Sequence, residues 1–139
     1  MVKQIANKII LTLAICGVIG GFTSANVFAG NSYLDVTVSN ASGLVSKDPK
    51  SIMTKKDDND TCFYVTLTSL QNGPKIYFTS HHSSGRKVSQ TVEYNSYQVG
   101  HTQVYKYNAG EGMALQKYYL YASAPRNYVN VHAVGRYCP

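Results

Sequence analysis

Short runs in which apolar and polar residues alternate are the feature that most limits the folds open to this chain. Such alternation places the apolar side chains on one face of an extended segment and is typical of half-buried β-strands. The apolar members are often β-branched, which favours a pleated surface. After residue 30 no stretch carries a convincing 3.6-residue stripe, so helices are not expected. The alternating runs occupy residues 34–38, 63–67, 76–78, 88–92 and 129–133.

Turn-forming residues separate these runs, as expected for strands that reverse direction. The signals are Asn-Gly-Pro at 72–74, Ser-Ser-Gly at 83–85, Asn-Ala-Gly at 108–110 and Ala-Pro-Arg-Asn at 124–127. Together they predict an all-β protein, an antiparallel β-sandwich or small barrel of about seven strands. The polar stretch 39–61 interrupts the pattern and is predicted to be a long loop.

The N-terminus has the order of a secretory signal peptide: a basic start, an uncharged apolar run over 9–22, and small residues before a cut. Cleavage is expected after Ala29, with a cut after Ala25 as the alternative. The apolar run is shorter than the roughly 18 residues that a membrane span requires. The sequence therefore predicts a signal peptide over 1–29 and one secreted, extracellular domain over 30–139, with no transmembrane segment after processing.

Cysteine usage fits an exported protein. Removal of the signal peptide removes Cys16 and leaves Cys62 and Cys138. An even pair in an exported chain predicts a disulfide. A Cys62–Cys138 bond would tie the last strand to the body of the domain, and in the loop-entropy model it would stabilise the fold by about 4.5 kcal/mol.

The charge balance bears on the partner. The full chain has 13 Lys and Arg against seven Asp and Glu, a formal net charge of +6. This favours an anionic cell-envelope polymer or an anionic lipid, and a protein partner is a further alternative. Nucleic acid is not expected, because the basic residues are dispersed and the protein is predicted to be exported.

Catalytic and metal-binding patterns are weak. The adjacent His81 and His82 would point to opposite faces of a strand, and no histidine spacing indicates a metal site. The two glutamates, Glu93 and Glu111, are poor grounds for a carboxylate pair. No catalytic residue, metal or cofactor is predicted. A small secreted hydrolase remains the second alternative function.

Tyrosine is the most unusual component, with twelve residues in the chain. Apolar residues occupy odd-numbered positions before Gln116 and even-numbered positions after it, a shift of one residue that a β-bulge would cause. Beyond that shift Tyr118 and Leu120 are expected to face inward, which leaves Tyr119 and Tyr121 on the outside. Cross-strand tyrosine packing is the alternative use of the same residues.

These tyrosines lead to a predicted binding site. Tyr119 and Tyr121, beside Lys117 and Arg126, would offer flat aromatic area next to positive charge. Such a surface suits sugars, lipid headgroups and protein partners. The sequence therefore favours binding over catalysis.

Two short C-terminal segments carry a family resemblance. The residues are Asn108, Gly112 and Leu115 in NAGEGMALQ, and Val134, Gly135, Tyr137 and Pro139 in VGRYCP. They resemble a family of small exported proteins, found mainly in Gram-positive bacteria, that is known only as a domain of unknown function. That family is similar in size and layout to secreted bacteriocin-like proteins, which implies a role in antagonism between bacteria and supplies no catalytic residues. We expect a secreted, non-enzymatic binding protein acting at the cell envelope or extracellularly, with a bacteriocin-like antibacterial toxin as the alternative.

Overall fold

The computed structural model describes residues 31–39 and 51–139. The predicted signal peptide and residues 40–50 of the predicted loop lie outside this part of the chain. Within it, no helix is long and apolar enough to cross a membrane.

Over residues 31–39 and 51–139, the regular structure consists of eight strands and one short 3-10 helix, Ser96–Gln98. The strands are β1 Ser32–Val38, β2 Thr54–Lys55, β3 Cys62–Gln71, β4 Lys75–His82, β5 Val92–Asn95, β6 Gln103–Lys106, β7 Lys117–Ser123 and β8 Val131–Cys138.

The strands form two four-stranded sheets. The first sheet has the order β1-β8-β3-β6 and the second the order β2-β7-β4-β5. Every strand pair is antiparallel. The all-β, antiparallel prediction is confirmed, with eight strands in place of about seven. The described residues form no closed barrel, so that alternative is wrong.

The two sheets share one hydrophobic core, built from the alternating positions that the sequence indicates. Its fully buried members include Leu34, Val36, Val38, Phe63, Val65, Leu67, Ile76, Phe78, Leu120, Val131 and Ala133. Hydrogen bonds also cross between the sheets. The hydroxyls of Tyr137 in β8 and Ser80 in β4 lie 2.9 Å apart. The inner faces of both sheets are therefore occupied by the core.

The predicted loop over 39–61 is only partly a loop. Its second half contains β2, which pairs with β7 at the edge of the second sheet. The side chain of Lys56 is completely buried. Its ammonium group donates hydrogen bonds to Asp58 and to the Pro139 carbonyl, and it lies 5.7 Å from the centre of the Tyr107 ring. These bonds compensate the burial of the charge, which a count of polar residues could not anticipate.

The predicted Cys62–Cys138 disulfide is not formed in the structure. Cys138 faces Tyr64 in the β3–β8 ladder, so Cys62 lies two residues farther along β3 on the same face. Such diagonal neighbours are about 7–8 Å apart. A disulfide usually needs Cα atoms within about 6.8 Å. The register of the two strands is the reason that the sequence argument failed here.

Candidate binding cleft

An open cleft of about 370 Å³ lies on the outer face of the first sheet. We call it the Arg136 cleft. Most of its lining residues have polar side chains. They come from β3, β8 and the segments just before β1 and β6: Asn31, Tyr64, Thr66, Thr68, Thr102, Arg136 and Cys138.

A β-bulge in β3 shapes this cleft. Leu67 faces Gly135 on β8, and Ser69 faces the next residue, Val134, so Thr68 has no partner residue of its own. The Thr68 hydroxyl donates a hydrogen bond to the Val134 carbonyl at 3.2 Å. A bulge bends its strand and increases the local twist. Here the bulge lies next to Thr66, the residue of β3 that pairs with Arg136.

Gly135 permits the close approach of β3 and β8 at the bulge. A Cβ atom at this position would clash with the Thr66 carbonyl oxygen and lie 2.7 Å from the Leu67 Cα atom. Both contacts are with backbone, which cannot move aside as a side chain could. Glycine is therefore required where β8 passes the bulge.

The loop before β6 is fastened to the same point. The Leu67 N–H donates to the Tyr94 hydroxyl at 3.1 Å, and the Gly100 N–H donates to the Leu67 carbonyl at 2.8 Å. The loop then brings the Thr102 hydroxyl within 2.8 Å of the Thr66 hydroxyl. Backbone groups at the bulge thus hold one rim of the cleft in place.

Arg136 supplies the positive charge of the cleft. It is exposed and lies between Tyr33 of β1 and Thr66 of β3. Among the described residues its guanidinium makes no hydrogen bond or ion pair. The diagonal Asp35 is engaged elsewhere, since one of its oxygens lies 2.8 Å from Nε2 of His132. The guanidinium donors of Arg136 are therefore available to an external anion.

The other titratable lining groups are neutral near pH 7. Burial, and secondarily the charge of Asp58, raises the pKa of the Cys138 thiol to about 11. Burial and the nearby Asp60 carboxylate raise the pKa of Tyr64, whose hydroxyl donates to Asp60 at 3.4 Å. Among the lining residues, Arg136 is thus the one that carries a charge at neutral pH.

The site predicted from sequence lies on the other sheet. Tyr118 and Leu120 face the core, and Tyr119 and Tyr121 lie on the outer face of the second sheet. Tyr119 is only 7% exposed, because its ring stacks on His81 with 5.4 Å between centroids. Tyr121 is half-buried, with its ring 5.7 Å from His81. The expected exposed aromatic pair is instead a packed cluster.

The two basic residues of the predicted site are far apart. Lys117 begins β7, and Arg126 lies beyond its last residue, Ser123. Seven extended residues span roughly 20 Å, so the two residues lie toward opposite ends of β7, one at its start and one after its end. The shift in the apolar pattern near Gln116 comes from a loop and not from a β-bulge, because Leu115 has φ 67° and lies before the first residue of β7.

The sequence analysis did not predict a binding site at the residues that line the Arg136 cleft. These threonines and the arginine form no recognisable binding motif. The sequence indicated only which face of its strand each residue lies on. Arg136 alternates with the core residues Gly135 and Tyr137, which put it on the outer face. The pairing of β3 with β8 could not be derived from that alternation.

Several residues of the family resemblance have packing roles. A Cβ atom on Gly112, which has φ +80°, would lie 2.9 Å from Cγ of Tyr107. Tyr137 is fully buried, and its hydroxyl lies between those of Ser80 and Tyr107. With Gly135, these residues maintain the fold, and they leave the function open.

The described residues contain no group of three or more His, Cys, Asp or Glu side chains arranged to hold a metal ion. The signal peptide, the secreted location and the family resemblance stay predictions. Comparisons with protein-family models, with curated proteins and with solved structures found no match to this chain.

Proposed function

We propose that this protein is an exported, non-enzymatic binding protein that captures an anionic polymer of the cell envelope in the Arg136 cleft. The observation that carries the proposal is the exposed Arg136, without a hydrogen-bond or ion-pair partner among the described residues, in a concave surface lined by hydroxyl groups.

The chemistry of the lining matches a polymer that has both charged and neutral polar parts. A guanidinium binds phosphate or carboxylate oxygens through paired, charge-assisted hydrogen bonds. The hydroxyls of Thr66, Thr68 and Thr102 can exchange hydrogen bonds with a sugar or polyol, and the Tyr64 ring offers a flat surface to it.

The state of the remaining groups supports binding over hydrolysis. The raised pKa of Cys138 keeps its thiol protonated at neutral pH, and the thiolate is the nucleophilic form. The nearby Asp60 carboxylate is exposed and accepts a hydrogen bond from the Tyr64 hydroxyl.

Binding of poly(glycerol phosphate) to the purified protein tests this proposal by isothermal titration calorimetry. Arg136→Met should weaken binding by at least about tenfold, because a hydrogen bond to a charged group contributes about 1.5–3 kcal/mol. The melting temperature should stay unchanged, since the side chain is exposed. Lys87→Met is the matched control: it removes an exposed cation at the second sheet, whose ammonium group donates a hydrogen bond to Thr91.

Further variants locate the site. Arg126→Met and Tyr121→Ser should leave polymer binding unchanged if the Arg136 cleft is the site. Loss of binding in these variants, with full binding by Arg136→Met, would move the site to the second sheet and overturn the proposal. A uronic-acid polymer in a parallel titration distinguishes carboxylate from phosphate recognition.

A further inference from the structure

The edge of the second sheet has a surface that the Arg136 cleft does not explain. Here β2 pairs with the start of β7, and the segment before β2 continues along the same edge. We call this surface the basic edge, and define it by five exposed residues: Ile52, Met53, Lys55, Leu115 and Lys117.

Two like charges face each other on the basic edge. Lys55 is the direct cross-strand neighbour of Lys117. Like charges in this arrangement repel and destabilise a sheet. Neither ammonium group has a hydrogen bond or ion pair among the described residues, whereas Lys56 is bonded to Asp58 and Lys75 to Glu93. An external anion would relieve the repulsion.

Large apolar side chains border these lysines. Ile52 is 63% exposed, Met53 is 45% exposed and Leu115 is 67% exposed. The Leu115 N–H donates to the Lys56 carbonyl at 2.7 Å, which fixes Leu115 beside the Lys55 end of the edge. Exposed apolar groups that adjoin lysines are typical of surfaces that enter the headgroup region of an anionic bilayer.

We propose that the basic edge docks the protein on an anionic phospholipid bilayer. Lys55 and Lys117 contact the headgroup phosphates, while Ile52, Met53 and Leu115 enter the region between headgroups. The apolar side chains favour a lipid over a soluble polyanion, which would leave them in water. This surface belongs to a different sheet from the Arg136 cleft, so either site can fail without the other.

Co-sedimentation with vesicles tests the docking surface. The purified protein should bind vesicles that contain phosphatidylglycerol and should not bind vesicles of phosphatidylcholine alone. Lys55→Gln with Lys117→Gln should reduce the vesicle partition coefficient roughly thirtyfold, since each lysine contributes about fivefold near an anionic surface. Lys87→Gln with Lys106→Gln is the control, which removes two exposed cations elsewhere.

A second variant separates lipid from polyanion. Ile52→Ser with Met53→Ser should reduce vesicle binding at least about tenfold and leave poly(glycerol phosphate) binding and the melting temperature unchanged. Equal binding to both vesicle types, or no binding to either, would overturn the proposal. So would full vesicle binding by the Ile52 and Met53 double variant, which would mean that a simple charge contact suffices.

Discussion

The outer faces of the two sheets differ in what their side chains are free to do. On the first sheet, Arg136 and its neighbouring threonines line an open cleft, and the guanidinium has no partner among the described residues. On the second sheet, the Tyr119 ring stacks on His81 and the Tyr121 ring packs against His81 at a tilt, and both tyrosines are at least half-buried. The aromatic face is packed, while the polar face is open.

This comparison shows why the abundance of tyrosine is a poor guide to the binding site in this chain. Four tyrosines are built into the core: Tyr94, Tyr107, Tyr118 and Tyr137. Burial raises the pKa of each of these four tyrosines. It also raises the pKa of Tyr105, which packs against the core and is less buried, to about 12. Tyrosine here supplies packing area with a hydroxyl that bonds across the core.

The largest expected effect tests whether the bulge maintains the open face. Gly135→Ala should lower the free energy of unfolding by about 3 kcal/mol, because its methyl group would clash with backbone atoms of β3. It should also weaken polymer binding. Urea denaturation measures the first effect and calorimetry the second.

Gly110→Ala is the matched control for that clash. Gly110 has φ +79° and open space around its Cα atom, so alanine adds backbone strain alone, about 1 kcal/mol. Equal destabilisation by Gly135→Ala and Gly110→Ala would show that the close approach of β3 and β8 at Gly135 is unimportant. Glycine would then not be required where β8 passes the bulge.

An intermediate effect tests whether the aromatic face is packed. Tyr119→Ser should lower the free energy of unfolding by about 2 kcal/mol, because it removes a covered ring and its stacking on His81. Tyr121→Ser should cost less, since Tyr121 is only half-buried. If thermal denaturation shows no loss for Tyr119→Ser, the ring is dispensable for folding and returns as a candidate contact residue.

The smallest effect concerns thiol reactivity in the Arg136 cleft, with no change in stability. At pH 8 Cys62, which is half-exposed, should be alkylated first, and Cys138 at least about tenfold more slowly, since its pKa is raised to about 11. The rate for Cys138 should rise with pH up to that value, as the thiol loses its proton. Mass spectrometry of the time course measures both rates.

Urea should remove the difference between the two thiols, because unfolding exposes both. Failure to alkylate either cysteine in urea without a reductant would mean that they are joined, as the sequence predicts. The ends of β3 and β8 would then adopt a different register from the one in the structure.

Local patterns predicted the class of fold because they depend on near neighbours in the chain. The alternation of Leu34, Val36 and Val38, or of Phe63, Val65 and Leu67, required only a strand with one buried face, and all six are buried. The same logic failed at β2, which has only two residues and is too short to show a period.

The sequence by itself determined the alternating strands, the turns between them and which side chains point away from the core. Tertiary structure decided which outward residues meet. Arg136 lies 70 positions after Thr66 in the sequence, and they become neighbours because β8 pairs with β3 in one register. That register also separates Cys62 from Cys138, since one register fixes every cross-strand distance at once. Alternation gives the face on which a residue lies, and only the pairing of distant strands gives its neighbour.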